Sequence, residues 1–421
     1  MKITLLAHGT RGDAQPMMVL GNELERRGHQ VTLGLPPNLV DFARNAEFRA
    51  HSVGVDSQAF LESTKGRDWL ATGNTRAFML EVRSTIRSHA DEINTNLIKL
   101  CADADLVVSG YLLEDRAAVI VEHYRVPLVL FHSAPLRKTN AVANPLISTR
   151  SLPFNLNSLS HSAFDFLVWK GIKTDINKLR KSLALPKTNL ATSKRSLLDN
   201  SLEIQAYSRL MLPEIKDTDP RRPLIGFVVP DEQMRARMGE ESLDVELQNW
   251  LSEGEPPIYF GFGSMPVRDP IAAYKTIVRV VDALHLRAVI CAGWSSLNDS
   301  EAIPKNIYMI RSLNHDLLFS QCKAAIHHGG AGTVAASLSA GLPTMIYSVF
   351  ADQPFWGAQV ERLGVGRHVR FSKLNETNLQ EGLSFLLKPT TTQRAKEFGS
   401  TLKQDIFGAQ RATDLIEKIP T

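Results

Sequence analysis

The chain has 421 residues, 43% of them hydrophobic and 22% charged, a balance typical of globular proteins and sufficient for two domains with separate cores. This composition excludes an intrinsically disordered chain. The formal net charge is +4 and neither sign forms a long block, so nothing indicates nucleic-acid binding. The small excess of basic residues is compatible with weak contact with an anionic membrane surface.

Three cysteines, Cys101, Cys291 and Cys322, lie in separate apolar segments, as expected for buried thiols in a reducing compartment. The first residues form an apolar run that is too short for a signal peptide, and no apolar run approaches the roughly 18 residues that span a bilayer. We therefore expect a soluble cytoplasmic protein.

The first half of the chain alternates strand and helix patterns. A strand at residues 2–7 precedes a helix at 14–27, whose apolar residues recur at helical spacing, and the next strand follows at 31–35. This order is a βαβ unit. Further strands are predicted at 106–109 and 126–131, and further helices at 77–101 and 115–124.

Residues 135–200 are rich in Asn, Ser and Leu with scattered aromatic residues, and their periodicity is weak. The pattern predicts irregular helices and loops, and connections this long are often binding segments. Residues 135–169 of this segment, together with Phe60, Trp69 and Phe78, would form a wide apolar pocket, although each of these side chains could instead pack in the core.

Residues 213–223 read PEIKDTDPRRP, a polar stretch bounded by prolines that indicates a linker. A second α/β half follows it. We expect a first domain at 1–215, a linker at 216–223, a second domain at 224–400, and a helix within 401–421 that returns to the first domain. The strands predicted for the second half cover residues 258–262, 287–291, 307–310, 324–326 and 344–348.

The most informative stretch joins a predicted strand to a helix through a glycine turn. After the strand at 324–326 come the residues HHGGAGT, numbered 327–333, and then a helix of small residues. Glycines permit a tight turn, and unpaired N–H groups at the start of a helix attract an anion such as a diphosphate. Similar turns also occur in α/β domains that bind no ligand, so the turn alone leaves the function open.

Asp352 and Gln353 follow the strand at 344–348. Ligands bind at the carboxyl ends of strands in open α/β sheets, and a carboxylate beside an amide suits the hydroxyls of a sugar. The alternative is that Asp352 only caps the next helix, which has Pro354 in its first turn.

Asp13 has a comparable place after the first strand, in the segment GTRGD, with Pro16 in the first turn of the helix. A carboxylate here could take a proton from an attacking hydroxyl and so act as a general base. Helix capping is an equal alternative. The second half repeats the arrangement with GFGS at 261–264, where small residues allow close approach to a phosphate.

Two aspartate pairs have the spacing by which sugar-nucleotide enzymes of another fold bind a divalent metal, namely Asp103 with Asp105 and Asp217 with Asp219. The first pair precedes a strand and the second lies in the predicted linker, so solvated charge explains both. A zinc site built from Cys322 and nearby histidines lacks the usual ligand spacings. We therefore expect no metal ion.

Five motifs occur along the chain: GTRGDAQP at 9–16, PPIYFGFGSM at 256–265, NHDLLF at 314–319, HHGGAGT at 327–333 and FADQPFWG at 350–357. In this order they resemble the GT-B nucleotide-sugar glycosyltransferases of the UDP-glycosyltransferase family, in the branch of the sterol, glycopeptide-antibiotic and glycolipid glycosyltransferases. The resemblance covers nearly the whole chain. It departs from the plant branch, which has histidine in place of Asp13 and a tryptophan near Ile310, so the donor base stays open.

The resemblance implies two Rossmann-like domains that face a central cleft, and it assigns roles to individual residues. Asp13 would be the base. The donor site would comprise Ser264, His328, Gly330, Gly332 and Thr333 around the diphosphate, Asp352 and Gln353 at the sugar, and Ser312 and Leu313 at the nucleobase.

The resemblance also implies a reaction. A hexose would be transferred from a nucleoside-diphosphate sugar to a hydroxyl of a lipophilic acceptor such as a sterol, polyketide, phenol or glycolipid. The transfer would invert the anomeric configuration and would need no metal. UDP-glucose is the favoured donor, and a dTDP-deoxysugar is the next candidate. The nucleotide sugar is a co-substrate, and no cofactor is expected. His328 and the helix that follows it would neutralise charge on the leaving diphosphate. The alternatives are a sugar-nucleotide epimerase of similar build and a non-catalytic relative that binds a nucleotide sugar.

Overall fold

The computed structural model describes residues 1–64, 66, 75–154, 156–216, 219–262, 269–291, 303–310 and 314–420; at 75, 76, 78 and 79 it describes the backbone alone. The chain forms two compact units. The first comprises Met1–Phe60, Arg76–Met238 and Ile406–Thr421, and the second comprises Leu61–Thr75 and Gly239–Asp405.

In the described part of the chain, each unit contains one sheet of six parallel strands. The strands of the first unit are β1 (Lys2–Leu6), β2 (Gln30–Leu35), β3 (Ala50–Ser52), β4 (Leu106–Gly110), β5 (Leu128–His132) and β6 (Glu203–Gln205). Those of the second unit are β7 (Ile258–Gly261), β8 (Ala288–Cys291), β9 (Ile307–Ile310), β10 (Ala324–His327), β11 (Thr344–Ser348) and β12 (Gly366–Arg370). Across the sheets the orders are β3-β2-β1-β4-β5-β6 and β12-β11-β10-β7-β8-β9.

Helices connect the strands. As far as Met238 they are α1 (Arg11–Arg26), α2 (Pro37–Asn45), α3 (Ser57–Glu62), α4 (Thr75–Ser88), α5 (Ala90–Cys101), α6 (Glu114–Tyr124), α7 (Leu156–Ser182), α8 (Thr192–Leu198) and α9 (Glu232–Arg237). The remainder are α10 (Val245–Ser252), α11 (Pro270–Ala283), α12 (His315–Phe319), α13 (Ala331–Ser339), α14 (Gln353–Arg362), α15 (Glu376–Leu386), α16 (Pro389–Leu402) and α17 (Gly408–Ile416).

Each sheet is covered by helices on both faces, because successive strand residues point to opposite sides. In β1, Ile3 and Leu5 pack into a core with α1, α2 and α17, whereas Leu6 packs into a second core with α5, α6 and α7. In β7, Phe260 and Tyr259 are divided between two cores in the same way. Strands buried on both faces are typical of parallel sheets, and the predicted α/β class is confirmed.

The strand orders define where a ligand can bind. In the first sheet the order reverses between β1 and β4, and in the second it reverses between β7 and β10. Ligands of open α/β sheets bind outside the carboxyl ends of the strands at this reversal. The segment that contains Asp13 follows β1, and the glycine turn follows β10.

Helix α7 differs most from expectation, because residues 135–200 were predicted to form irregular helices and loops. It is a continuous helix of 27 residues. Its first turns bury Asn157, Ser160 and His161 and expose leucines, so the hydrophobic periodicity that identifies a helix in the sequence is reversed there. The helix predicted at 77–101 is instead divided into α4 and α5 at His89.

The predicted linker at 216–223 belongs to the first unit as far as the structure describes it. The N–H groups of Glu203 and Gln205 donate to the carbonyls of Arg221 and Pro223, and these bonds fix the segment beside β6. The change of unit falls after Met238. The proline-bounded composition therefore marks an extension of the sheet edge.

The last helix, α17, packs in the first unit. Ala409, Ala412 and Ile416 are buried in the same core as Ile3, and the guanidinium of Arg27 bonds the carboxylate of Asp414 at 2.6 Å. Both chain ends therefore contribute to one unit. No helix in the described part of the chain combines the length and the hydropathy that a bilayer crossing requires.

Candidate active site

The glycine turn of the second unit lies between β10 and α13. Gly329 has a φ of +90°, and a Cβ there would lie 2.5 Å from Cγ2 of Ile346 and 3.3 Å from the carbonyl oxygen of Gln353. Only glycine fits this position without a rearrangement. The same distances show that the turn lies against β11 and the start of α14, so the predicted diphosphate and sugar segments are neighbours.

Helix α13 begins without a side-chain cap. Its N-cap residue is Gly330, and its first turn contains no acidic residue. A Cβ at Gly332 would meet no heavy atom within 4 Å, so this side of the helix start is open among the described residues. The first N–H groups, from Ala331 to Thr333, lack a capping acceptor and carry the positive end of the helix dipole. This arrangement can bind an anion.

His327 supports the turn from the protein interior. Its side chain is fully buried, the N–H of Gly329 donates to Nδ1 at 3.1 Å, and Nε2 therefore carries the proton and donates to Oγ of Ser337 at 3.1 Å. Burial holds the pKa of His327 well below its usual value, so the ring is neutral. His327 is a structural residue of the turn.

His328 lies over the start of α13. A Cβ at Gly330 would be 2.6 Å from its Nε2, and its Nδ1 completes no hydrogen bond with the described residues. Burial lowers the pKa of His328 to about 4, although a backbone group of Gly261, at the end of β7, acts in the opposite direction. The ring is therefore uncharged at neutral pH in the free protein. Among the described residues of the turn, it is the start of α13 that offers positive charge to an anion, through the helix dipole.

Asp352 is held by a neighbouring side chain. It occupies the N-cap position of α14, but its carboxylate makes no capping bond; Nε1 of Trp356 donates to Oδ2 at 2.8 Å. Burial raises the pKa of Asp352, and the hydrogen bond from Trp356 acts against this. The carboxylate is thus not a simple helix cap, which was the alternative interpretation from the sequence.

Gln353 is buried and stabilises the loop that presents Asp352. Its Oε1 accepts from the N–H of Val349 at 2.9 Å and of Phe350 at 3.3 Å. Ala351, between these partners and Asp352, has a φ of 54°. The amide oxygen predicted to bind sugar therefore bonds the loop backbone.

Several predicted site residues lie outside the described residues. They are Ser264 of the diphosphate site, Ser312 and Leu313 of the nucleobase site, and Trp69 of the apolar pocket. The structure also does not describe the side chain of Phe78. Their roles stay predictions.

Asp13 is the third residue of α1, which begins three residues before the predicted helix start. Oγ1 of Thr10 accepts from the N–H of Gly12 at 3.2 Å, and Oδ2 of Asp13 accepts from the N–H of Thr10 at 2.8 Å. This reciprocal pair is a capping box. The capping interpretation is therefore confirmed, while the carboxylate is exposed at the end of the first sheet where a ligand can bind. Its role as a base stays a prediction.

A group of buried charges near the carboxyl ends of β4 and β5 and the start of β6 was not predicted. Glu114 accepts from Arg137 at 2.8 Å and lies 2.9 Å from Nε2 of His132, while Glu203 lies 3.4 Å from Nε of Arg137. Burial raises the pKa of Glu114 to about 7 despite Arg137, and burial lowers the pKa of His132 to about 3. The available sequence signal was an acidic residue soon after a strand, the same signal that identified Asp352.

The described residues contain no group of three or more His, Cys, Asp or Glu side chains that could hold a metal ion. Asp103 bonds Nζ of Lys2 at 2.6 Å, and Asp105 accepts from the backbone N–H of Lys2 at 2.7 Å. Asp219 bonds Arg221, and Asp217 lies outside the described residues.

Two family models match the chain on either side of its middle. The Glycosyltransferase family 28 N-terminal domain matches residues 3–119, which include Asp13. The model called Erythromycin biosynthesis protein CIII-like, C-terminal domain, matches residues 276–418, which include the glycine turn and Asp352.

Relatives match almost the full chain. An uncharacterized glycosyltransferase of Mycobacterium tuberculosis is 35% identical over 421 residues, covering 99% of this chain and 98% of that protein. A sterol 3-beta-glucosyltransferase of Arabidopsis thaliana is 30% identical and covers 99% of this chain and 68% of that protein. The solved glycotransferase of kitacinnamycin superposes with a TM-score of 0.70 at 17% identity, covering 99% and 98% of the two chains.

Two Rossmann-like domains with these strand orders are the fold of the GT-B class of glycosyltransferases. The chain belongs to the UDP-glycosyltransferase family, and the protein is a glycosyltransferase.

Proposed function

We propose that this glycosyltransferase moves a hexose, with inversion and without a metal ion, from a nucleoside-diphosphate sugar to a hydroxyl of a lipophilic acceptor. One observation carries the proposal. The uncapped start of α13 lies against the start of α14, where Asp352 has a carboxylate that caps no helix. An anion site beside a sugar-binding carboxylate matches a sugar diphosphate.

UDP-glucose is the donor we favour. The Arabidopsis relative is named as a glucosyltransferase, and its alignment covers nearly all of this chain. A dTDP-deoxysugar is the second candidate, since the model that matches the second unit is named after a protein of erythromycin biosynthesis. Ser264 would complete the diphosphate site, and Ser312 and Leu313 would contact the base.

A sterol, polyketide, phenol or glycolipid is the acceptor class we favour. The Arabidopsis relative is named for a sterol, and the model that matches the second unit for erythromycin biosynthesis. Such acceptors share an accessible hydroxyl on a large apolar body.

In this mechanism, Asp13 accepts the proton of the acceptor hydroxyl as its oxygen attacks the anomeric carbon. The bond from that carbon to the diphosphate breaks on the opposite face, which inverts the configuration. The N–H groups at the start of α13 stabilise the departing diphosphate, and the neutral ring of His328 can donate one further hydrogen bond. Asp352 accepts hydrogen bonds from sugar hydroxyls and so fixes the anomeric carbon.

A matrix of donors and acceptors tests the proposal. UDP-glucose, dTDP-glucose and their deoxysugar analogues are each offered with a sterol, a phenol, a polyketide and free glucose, with and without EDTA. We expect a β-glucoside of a lipophilic acceptor from an α-linked donor, formed equally well with EDTA. Faster transfer to free glucose would contradict the lipophilic acceptor, and a retained α-linkage would contradict inversion. Activity that only a divalent metal restores would contradict the metal-independent reaction.

The same matrix separates the two alternatives. An epimerase would convert or release the sugar nucleotide in the absence of acceptor. A non-catalytic relative would bind the donor without consuming it. Transfer that requires an acceptor excludes both.

A further inference from the structure

Helix α7 of the first unit carries apolar residues outward and polar residues inward along its first turns. Leu159, Phe166 and Leu167 are 60%, 63% and 64% exposed, whereas Asn157 and His161 are buried. A surface helix of a globular protein has the opposite arrangement. The outward apolar residues are therefore available for an interaction outside the unit.

Hydrogen bonds fix the rotation of the helix, so the exposed side is defined. Oδ1 of Asn157 accepts from the N–H of Leu152 at 2.7 Å, and Nε2 of His161 lies 3.1 Å from the carbonyl oxygen of Val142. Rotating the helix to bury the leucines would break these hydrogen bonds. Each polar group left without a partner would then cost free energy of folding.

The outward side of α7 continues from apolar to basic. We call this set the α7 stripe; its members are all exposed and are Leu156, Leu159, Ala163, Phe166, Leu167, Lys170, Thr174, Lys178 and Lys181. At 3.6 residues per turn they occupy about a third of the circumference over a length of about 40 Å.

No acidic residue lies on the α7 stripe. The two acidic residues of the helix face elsewhere: Asp165 lines a small polar pocket with Glu114 and Arg137, and Asp175 bonds Arg87 at 2.9 Å. The loop that packs beside the helix, through the bond from Nε1 of Trp169 to the carbonyl of Asn189, adds the exposed Lys187. The stripe thus combines an apolar half with a basic half.

We propose that the α7 stripe docks on the surface of an anionic lipid bilayer. Leucine and phenylalanine side chains enter the boundary between headgroups and acyl chains, and lysines extend to the lipid phosphates. This role rests on the proposed function, because a lipophilic acceptor dissolves in the bilayer, and docking brings the acceptor-binding unit to it.

The charge pattern favours a lipid over a second copy of the chain. Two stripes packed in parallel would place lysines against lysines, and two packed in the opposite direction would place lysines against leucines and phenylalanines. Both arrangements are unfavourable, since they either repel or leave charges without a partner. An anionic bilayer satisfies both halves of the stripe together.

Co-sedimentation of the full-length protein with vesicles tests the proposal, without donor or acceptor. The vesicles are phosphatidylcholine alone and phosphatidylcholine mixed with phosphatidylglycerol. One variant combines Phe166→Ser and Leu167→Ser, and another combines Lys170→Glu, Lys178→Glu and Lys181→Glu.

Matched control variants change the same residue types elsewhere. Val245→Ser with Ile271→Ser removes exposed apolar side chains of the second unit. A triple Lys→Glu variant at Lys99, Lys403 and Lys418 reverses the same number of exposed charges. Thermal unfolding confirms that all variants fold.

We expect the wild-type protein and both controls to bind the mixed vesicles. Each lysine near an anionic surface changes partitioning by about fivefold, so the stripe lysine variant should bind roughly 100-fold more weakly. The apolar variant should lose binding as well, and added salt should weaken the wild type. The stripe lysine variant and both controls should retain transfer to a water-soluble acceptor, which is the readout of the proposed function.

Three results would overturn docking while leaving the proposed function intact. The first is wild-type protein that stays in solution with mixed vesicles. The second is a stripe variant that binds like the wild type. The third is a wild-type dimer in lipid-free solution that the stripe variants convert into monomers.

Discussion

Asp13 takes part in helix capping and is also the proposed base, and an asparagine separates the two roles. Asp13→Asn keeps an oxygen that can accept from the N–H of Thr10, so α1 should begin normally. The amide is a much weaker base, and transfer should fall by roughly 100-fold or more. Turnover on a lipophilic acceptor and calorimetric affinity for UDP-glucose are the measurements.

In this variant the affinity for UDP-glucose should stay within about twofold of the wild type, because the proposed donor residues belong to the other unit. Transfer at near the wild-type rate would remove Asp13 from the mechanism. Asp13→Ala should also lose the cap, at a cost of about 1 kcal/mol of stability.

His328 should couple donor binding to pH. Its pKa is about 4 in the free protein, and the negative diphosphate stabilises the protonated ring, so the pKa is higher in the complex. Protons are therefore taken up on binding, and affinity should rise as pH falls through the bound-state pKa towards about 4. Calorimetry with UDP-glucose in buffers of different ionisation enthalpy measures this uptake.

His328→Asn is the matched control for this coupling. The variant should bind UDP-glucose more weakly than the wild type at pH 6, and its affinity should be nearly independent of pH. A wild-type affinity that does not change between pH 5 and 8 would show that His328 does not sense the diphosphate.

The loop between β11 and α14 is an element whose parts position one carboxylate. Trp356→Phe removes the indole N–H that bonds Asp352, whereas the backbone bonds of Gln353 persist. Loss of a hydrogen bond to a charged group should weaken UDP-glucose binding by roughly tenfold relative to free UDP, which has no sugar. Titration with both ligands gives this ratio.

Phe355→Leu is the control for packing, because Phe355 is buried beside Trp356 and its side chain has no hydrogen-bond donor for the Asp352 carboxylate. Both variants should lose about 1–3 kcal/mol of stability. An equal change of the UDP-glucose to UDP ratio in both would mean that Trp356 acts only through packing.

Elements with strong local patterns were predictable, and those that depend on distant partners were not. The strand, glycine turn and small-residue helix around Gly329 follow from local residues alone, because the turn needs glycine at a positive φ. The start of α1 was misplaced because Arg11 and Gly12 resemble a turn, whereas the capping pair of Thr10 and Asp13 begins the helix.

Helix α7 and the buried charges show the opposite case. The buried side of α7 is polar at its start, and its partners, such as Leu152 and Val142, lie in a preceding loop. Likewise Arg137 meets Glu114 and Glu203 only after β4, β5 and β6 are assembled. Periodicity and spacing do not report contacts of this kind.

At the scale of the whole molecule, the first unit depends on the end of the chain. Ile416 is fully buried in the core that contains Ile3 and Leu5. Ile416→Ala should therefore destabilise the first unit by about 2–5 kcal/mol, whereas Lys418→Ala, at an exposed position, should change stability by less than about 0.5 kcal/mol. Hydrogen–deuterium exchange locates the effect.

Loss of protection should concentrate in β1 and α1, and the strands of the second unit should exchange as in the wild type. Equal loss in both units would contradict the assignment of α17 to the first unit. Unchanged protection everywhere would show that α17 does not stabilise its core.

The position of α17 has a consequence for synthesis on the ribosome. Residues Gly239–Asp405 of the second unit emerge before Gly408–Ile416, so the second sheet can close while the first still lacks its final helix. Until Gly408–Ile416 emerges, the surface that α17 covers stays open to solvent and to chaperones, although the earlier elements of the first unit can fold as they appear. The half of the enzyme that is translated first is therefore the half that finishes folding last.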